Sequence, residues 1–262
     1  MQLFSNLKVM AIAIAVAIFS FASPAAGVVS PDRGIKSELN KLFTKNNIAA
    51  RSTPFKDEFV KAASIYGLPA LYIQAVARGE SFFDPKAISA KNARGIMQLM
   101  PSIAKDYKIP QKSLFDPAIN IDAGSHYLAD LYKRFNDNPY LALGAYYCGP
   151  GGVHSDGTLN EECDDYVRYI GSHLQALLAQ TPEEQENYEH PVVIGQYNYL
   201  LQAQQYRAWL SKKLPDLGFD LFRKVIREKR YFYYQYEIYA HGDSEKNICQ
   251  QIKQVTGFNT CK

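Results

Sequence analysis

The feature that most constrains this chain is a change of hydrophobic period. Up to Gln180 the apolar residues recur at helical spacing, with proline and glycine as starts and stops. After the polar, acidic stretch "TPEEQENYEH", Thr181 to His190, the chain turns to β-branched and aromatic runs that read as strands. A helical region followed by a mixed one implies an α+β class rather than alternating βαβ units.

The helical signals are local and specific. In "PFKDEFVKAASIYG", Phe59, Ala62, Ala63 and Tyr66 form the apolar set, and Gly67 fits a C-cap. "LPALYIQAVARGE" restarts with Pro69 near N1 and ends close to Glu80. Pro101 opens another helix. "NIDAGSHYLADLYKRFN" puts Ile121, Tyr127, Leu128, Leu131 and Phe135 near one face. "NPYLALGAYYCG" starts after Asn138 and stops at Gly149, and "DDYVRYIGSHLQALLAQ" closes the region. Residues 54–182 thus read as an all-α domain around one core, with no clear strand. Residues 28–53 are polar and basic and read as a loosely held lead-in.

Residues 190–262 read as a small module. "PVVIGQYNY", "FDLFRKVIRE" and "RYFYYQYEIYA" are strand candidates, and "LLQAQQYRAWLSKKLP" and "DSEKNICQQIKQVTG" are helices. The order is β-α-β-β-α, with a last short strand at "FNTCK". Strand alternation places Tyr234, Tyr236 and Ile238 on one face and Tyr233, Gln235, Glu237 and Tyr239 on the other. The polarity of the second set marks it as the solvent face.

The first 27 residues carry Lys8, an apolar run from Val9 to Ala22 and small residues from Ser23 to Gly27. This is the pattern of a cleaved signal peptide over residues 1–27, and it implies a periplasmic or secreted protein. The run is shorter than the roughly 20 residues of a spanning helix. Four cysteines in an exported chain suggest disulfides, and local pairing of Cys148 with Cys163 and Cys249 with Cys261 is the simplest of the connectivities. No cysteine spacing suits a metal, histidine is sparse, and no cofactor is implied. A formal net charge of only +3 gives no nucleic-acid footprint.

Glu80 is the candidate catalytic group. The end of a helix and the neighbouring Phe82 and Phe83 both favour a protonated carboxyl. A carboxylic acid kept neutral can protonate a glycosidic oxygen. Asp84 is the nearest second acid in sequence, but its "DP" context marks a turn.

"ESFFDPKAIS", "ARGIMQLMP" and "AYYCGPGGV" resemble the three signature blocks of the soluble lytic transglycosylases, which share the goose-type lysozyme fold. Further on, "ECDDYV" is similar to the family's Glu-Thr-Arg-x-Tyr-Val block at Glu162, Tyr166 and Val167. The resemblance implies an enzyme that cleaves the β-1,4 bond between N-acetylmuramic acid and N-acetylglucosamine in peptidoglycan. It implies Glu80 as the single acid/base and a 1,6-anhydro product. It also implies Ser89 as a Glu-orienting hydroxyl, Met97, Gln98 and Tyr146 as lining of a sugar groove, and Tyr166 as closing the Glu80 pocket. Four of these also have a plain structural role open to them: cap for Ser89, core for Met97 and Tyr146, satisfied amide for Gln98.

Two departures stand out. Tyr147 replaces the Asn of the third block, exchanging an amide contact to sugar for stacking and one hydroxyl. Cys163 and Asp164 replace the Thr and Arg of the fourth. The C-terminal module has a fainter resemblance to SPOR domains, which bind peptide-free glycan strands. The implied partners are therefore peptidoglycan strands, denuded glycan at the module and an envelope assembly. Two rival readings are a lysozyme-type hydrolase on the same fold and a non-catalytic wall-binding or scaffold protein.

Overall fold

Asparagine, aspartate, proline and glycine set the helix ends much as the sequence predicts. The computed structural model describes residues 31–45, 48–180, 192–228, 231–242 and 244–257. The predicted signal peptide, the acidic stretch 181–190, the "FNTCK" strand and Cys261 lie outside them. Helix α2 (Lys56–Tyr66) ends at Gly67, which is left-handed at φ 66°. Helix α3 (Ala70–Ser81) takes Pro69 as its N-cap rather than N1. Pro101 is the first residue of α4 (Pro101–Asp106). Asp116 caps α5 (Pro117–Arg134), Asn138 caps α6 (Pro139–Cys148) and Asn160 caps α7 (Glu161–Ala179), each side chain accepting backbone N–H groups of the first turn.

Two of these helices run through the core. α3 is buried from Leu71 to Gly79, and α6 from Pro139 to Ala145. A helix apolar on all sides has to be surrounded, and α6 is packed against α5, α7 and a helix over Pro31–Thr44. The helical region has no strand among its described residues, only isolated bridges such as Arg94 with Leu99.

The lead-in differs from expectation. Pro31–Thr44 forms a helix, α1, whose Ile35, Leu39 and Leu42 are buried. Their spacing of four and three is the amphipathic signal that the basic composition obscured. Ile35 packs where a side chain on Gly171 of α7 would otherwise sit.

The C-terminal module is a three-stranded antiparallel sheet in the order β1-β3-β2, with β1 (Val192–Tyr197), β2 (Gly218–Glu228) and β3 (Tyr231–His241). Helix α8 (Leu200–Lys213) connects β1 to β2, and α9 (Glu245–Thr256) follows β3. Phe219 pairs with Ala240 and Leu221 with Ile238. These residues share a core with Ala203 and Leu210 of α8 and Ile248 and Ile252 of α9.

The other sheet face does not look onto solvent as the alternation suggests. Phe222 of β2 stands edge-on to Phe82, 4.5 Å between centroids, and Tyr239 packs on Phe222 at 4.9 Å. Glu237 is 2% exposed and accepts hydrogen bonds from Gln196 (2.8 Å) and Tyr239 (2.7 Å). The side chains of Tyr233 and Tyr234 lie outside the described residues. The sequence reading draws a boundary between the two regions, yet one hydrophobic cluster runs from Ile35 through α3 and α7 to Ile252.

Candidate active site

Glu80 sits in the last turn of α3. The helix stops because Phe82 and Phe83 both adopt left-handed backbone, φ 55° and 64°. That conformation costs a non-glycine residue about 1–2 kcal/mol. Burial of the Phe83 ring and packing of the half-buried Phe82 ring offset it. Phe83 packs against Phe59 at 5.8 Å, and Phe82 lies between the Arg78 guanidinium (4.9 Å) and Phe222. Ser81 Oγ then donates to the Ile96 carbonyl at 2.7 Å, which ties the first sequence block to the second.

The second block is a tight loop closed by reciprocal bonds between Arg94 and Leu99, 3.0 and 3.1 Å. Gly95 is left-handed at φ 73°, and a Cβ there would stand 2.2 Å from the Leu114 carbonyl oxygen. Asn120 of α5, fully buried, clamps the loop. Its Nδ2 donates to the Arg94 and Leu114 carbonyls (2.9 and 2.8 Å), and its Oδ1 accepts the Met97 N–H (2.7 Å). Sequence reasoning missed Asn120. The available signal was an amide between Ile119 and Ile121 in the first turn of an amphipathic helix.

Tyrosines gather around the carboxyl. Tyr166 Oη of α7 donates to Glu80 Oε1 at 2.6 Å. Tyr147 of α6 stacks on Tyr166, 4.7 Å between centroids and 12° from parallel, and its hydroxyl donates to Glu162 at 2.9 Å. Tyr146 donates to the Met97 carbonyl at 2.7 Å, and Tyr169 to the Gly79 carbonyl at 2.7 Å. Burial pushes the Glu80 carboxyl above the usual range, against the opposing pull of the Arg223 charge and the Tyr166 hydrogen bond. Burial, reinforced by the Glu80 charge, also holds the Tyr146 and Tyr166 phenols well above their ordinary value, so both remain donors.

The other expected site residues take distinct positions. Met97 is fully buried; its side chain occupies the place that a Cβ on Gly124 would need. Gln98, with φ 47°, donates through Nε2 to the Ala87 and Gly95 carbonyls (3.2 and 2.8 Å). Ser89 Oγ accepts the Ala93 N–H at 3.0 Å and closes the turn between the first two blocks. Asp84 is exposed and accepts the Lys86 N–H at 2.8 Å, the turn role its "DP" context suggests.

Cys148 and Cys163 form a disulfide, Cα–Cα 5.9 Å, that joins the end of α6 to the first turn of α7. Gly152 fits against it; a Cβ there would lie 2.4 Å from the Cys148 Cβ. Cys249 is also disulfide-bonded, and its expected partner Cys261 lies outside the described residues. Among the described residues no set of three or more His, Cys, Asp and Glu is gathered to hold a metal, and no helix is long and apolar enough to cross a membrane.

The C-terminal module reaches this site through β2, which sequence reasoning did not anticipate. Asp220 is ion-paired with Arg78, and His241 Nε2 lies 2.7 Å from the other Asp220 oxygen. Arg78 Nη1 also donates to His173 Nδ1 at 2.7 Å. Burial holds the His173 pKa well below its ordinary value and Arg78 adds to this, so the ring is the neutral acceptor. Arg223 lays its guanidinium over Tyr147 (4.3 Å), Tyr166 (4.9 Å) and Tyr169 (5.4 Å), and its backbone N–H donates to Tyr169 Oη at 3.2 Å.

Comparison with known proteins agrees with the motif reading. The soluble lytic murein transglycosylase of Escherichia coli K12 is 38% identical over 109 residues, covering 38% of this chain and 17% of that protein. The membrane-bound lytic murein transglycosylase C of Haemophilus influenzae PittGG is 35% identical over 124 residues, 41% of this chain and 35% of its own. The chain thus spans well under half the length of the relatives it matches. The crystal structure of the 70 kDa soluble lytic transglycosylase from Escherichia coli aligns with a TM-score of 0.42 at 26% identity, over 61% of this chain and 30% of that one. Over residues 57–167, the segment that holds Glu80, Tyr146 and Tyr166, the chain matches the family model of the Transglycosylase SLT domain.

Proposed function

We propose that the protein is an exported lytic transglycosylase that cleaves the β-1,4 N-acetylmuramic acid–N-acetylglucosamine bond of peptidoglycan, with Glu80 as its single acid/base. The observation that carries this reading is the Glu80 carboxyl itself. It is half-buried among tyrosines, shifted toward its protonated form and held by Tyr166. Nearby carboxylates are engaged elsewhere: Glu162 by Tyr147, Asp164 by Arg168 and Tyr140, and Asp165 by Arg168.

In the first step the Glu80 proton passes to the glycosidic oxygen as the bond from the muramic anomeric carbon breaks. The substrate's N-acetyl group assists at that carbon. The muramic 6-hydroxyl then attacks it and returns its proton to the Glu80 carboxylate. The products are a free N-acetylglucosamine end and a 1,6-anhydromuramic end, with no water consumed. A protein nucleophile is not required, unlike the paired carboxylates of most glycosidases. Tyr166 steadies the carboxylate between the two steps. Tyr146, Tyr147 and Gln98 are the proposed groove contacts. Ser89 and the enclosed Met97 support it by closing the loop walls.

The test is product analysis on purified peptidoglycan. Mass spectrometry of the released muropeptides is expected to give anhydro ends, each lighter by one water than a reducing end. Reducing ends would establish the hydrolase reading instead. Glu80→Gln is expected to fold and abolish release.

A further inference from the structure

Arg223 reaches the Glu80 pocket from β2 of the C-terminal module, outside the segment that matches the SLT domain. We propose that Arg223, supplied by β2 of the C-terminal module, is a positioning residue for Glu80, so that the module is a working part of the active site. This rests on the reading of Glu80 as the acid/base.

The geometry is specific. The guanidinium lies within 4.3–5.4 Å of the centroids of three rings, those of Tyr147, Tyr166 and Tyr169. Planar stacking of this kind is a property of arginine rather than of lysine. Two of the rings bear directly on the acid. Tyr166 donates to the Glu80 carboxylate, and Tyr169 donates to the carbonyl of Gly79, the residue before it. The Arg223 backbone N–H donates in turn to Tyr169 Oη, so the strand and the side chain both engage Tyr169.

The anchoring is also specific. One position before Arg223 on β2, Phe222 packs on Phe82; three positions before it, Asp220 pairs with Arg78, itself two residues before Glu80. Glu80 is thus faced by Tyr146 from α6, Tyr166 and Tyr169 from α7, and Arg223 from β2; Arg78 on its own helix is taken up by Asp220 and His173. Among these, Arg223 is the cation that acts on the carboxyl, and its charge opposes the effect of burial.

The consequence for the chemistry is a balance. An acid that is too strongly desolvated gives up its proton readily only at a cost in carboxylate stability, and the second step needs that carboxylate. A cation beside the carboxyl favours its charged form.

The experiment uses the full chain labelled with 13C at the glutamate carboxyl carbons, with Glu80→Gln to assign the Glu80 signal. Arg223→Met keeps an apolar stem on the rings and removes the charge; Arg223→Lys keeps the charge. The Glu80 titration is expected to move to higher pH in Arg223→Met and to stay near the native position in Arg223→Lys. On peptidoglycan, kcat of Arg223→Met is expected to fall on the order of tenfold, as small losses of alignment do, and its alkaline limb to move to higher pH. An unchanged Glu80 titration in a folded Arg223→Met overturns the proposal, and Arg223→Gln gives the same comparison if the Met variant does not fold. The titration decides the role of Arg223 whatever the product analysis says of the reaction. A loss of activity with no change in titration or limb would mean packing alone.

Discussion

Asp220 of β2 and Arg78 of α3 form an ion pair in which both residues are almost fully buried, 4% and 1% exposed. Burial alone would raise the Asp220 pKa, but Arg78 and His241 together hold it below the usual carboxylate range. The pair joins the two regions at a point two residues from the proposed acid.

Removing one partner strands the other charge in the interior. Arg78→Ala is expected to destabilise the protein by about 3–5 kcal/mol, read from denaturant midpoints. The pH dependence follows from the lowered Asp220 pKa. Its contribution is fully present above the unfolded aspartate value of about 3.9 and is lost as pH falls from there through the lower folded value. Asp220→Asn is expected to flatten that acid limb of stability. A limb unchanged in the variant would place the acid sensitivity elsewhere.

Glu80 has the opposite sign. Its folded pKa is raised, so the folded state disfavours the carboxylate. Stability is highest below the unfolded glutamate value and falls as pH rises through the folded one. Glu80→Gln is therefore expected to unfold at a higher temperature than the native protein near neutral pH, with the gap closing in acid. Equal melting temperatures at neutral pH would contradict the raised pKa of Glu80.

Tyr166→Phe removes the 2.6 Å hydrogen bond to Glu80 and keeps the stacked ring. That bond lowers the Glu80 pKa, so its loss is expected to move the alkaline limb of cleavage to higher pH. The second step loses a donor to the carboxylate, and kcat is expected to fall by about tenfold, the effect of a charge-assisted bond of roughly 1.5 kcal/mol. Initial rates across pH provide the check.

The Cys148–Cys163 bridge closes a 15-residue separation. Serine at both positions is expected to cost about 3 kcal/mol in the chain-entropy description. Because Tyr147 precedes one cysteine and Tyr166 lies in the turn after the other, the same variant is expected to loosen the stacked pair and lower kcat. Unfolding and initial rates measured on the same preparation separate the two effects.

Much of this was legible because the determinants are local. Pro101, Asn138, Gly67 and the period of α5 and α7 mark helices without reference to anything distant. Glu80 and Tyr166 were found through ordered blocks, and the structure brings them together across 86 positions of sequence. What stayed hidden depends on contact between distant segments. Asn120 looks like an ordinary polar residue until the loop it clamps is folded against it. Arg223 sits in "FDLFRKVIRE", where nothing distinguishes it from the charged residues beside it. α1 was masked by its basic composition, and Glu237 was assigned to solvent because its charge outweighed the packing of its neighbours.

The pairing of β2 with β3 gives the ion pair one more role. Side chains alternate along a strand, so a slip of one residue would present Phe219 or Leu221 to Arg78 in place of Asp220. An apolar ring or leucine there would leave a buried guanidinium without its carboxylate, an error too large for the rest of the sheet to absorb. Arg78 therefore acts as a register mark for a strand in another region of the fold. The alignment that satisfies it is also the one that carries Arg223 onto the tyrosines, so correct assembly of the sheet and completion of the pocket are a single event.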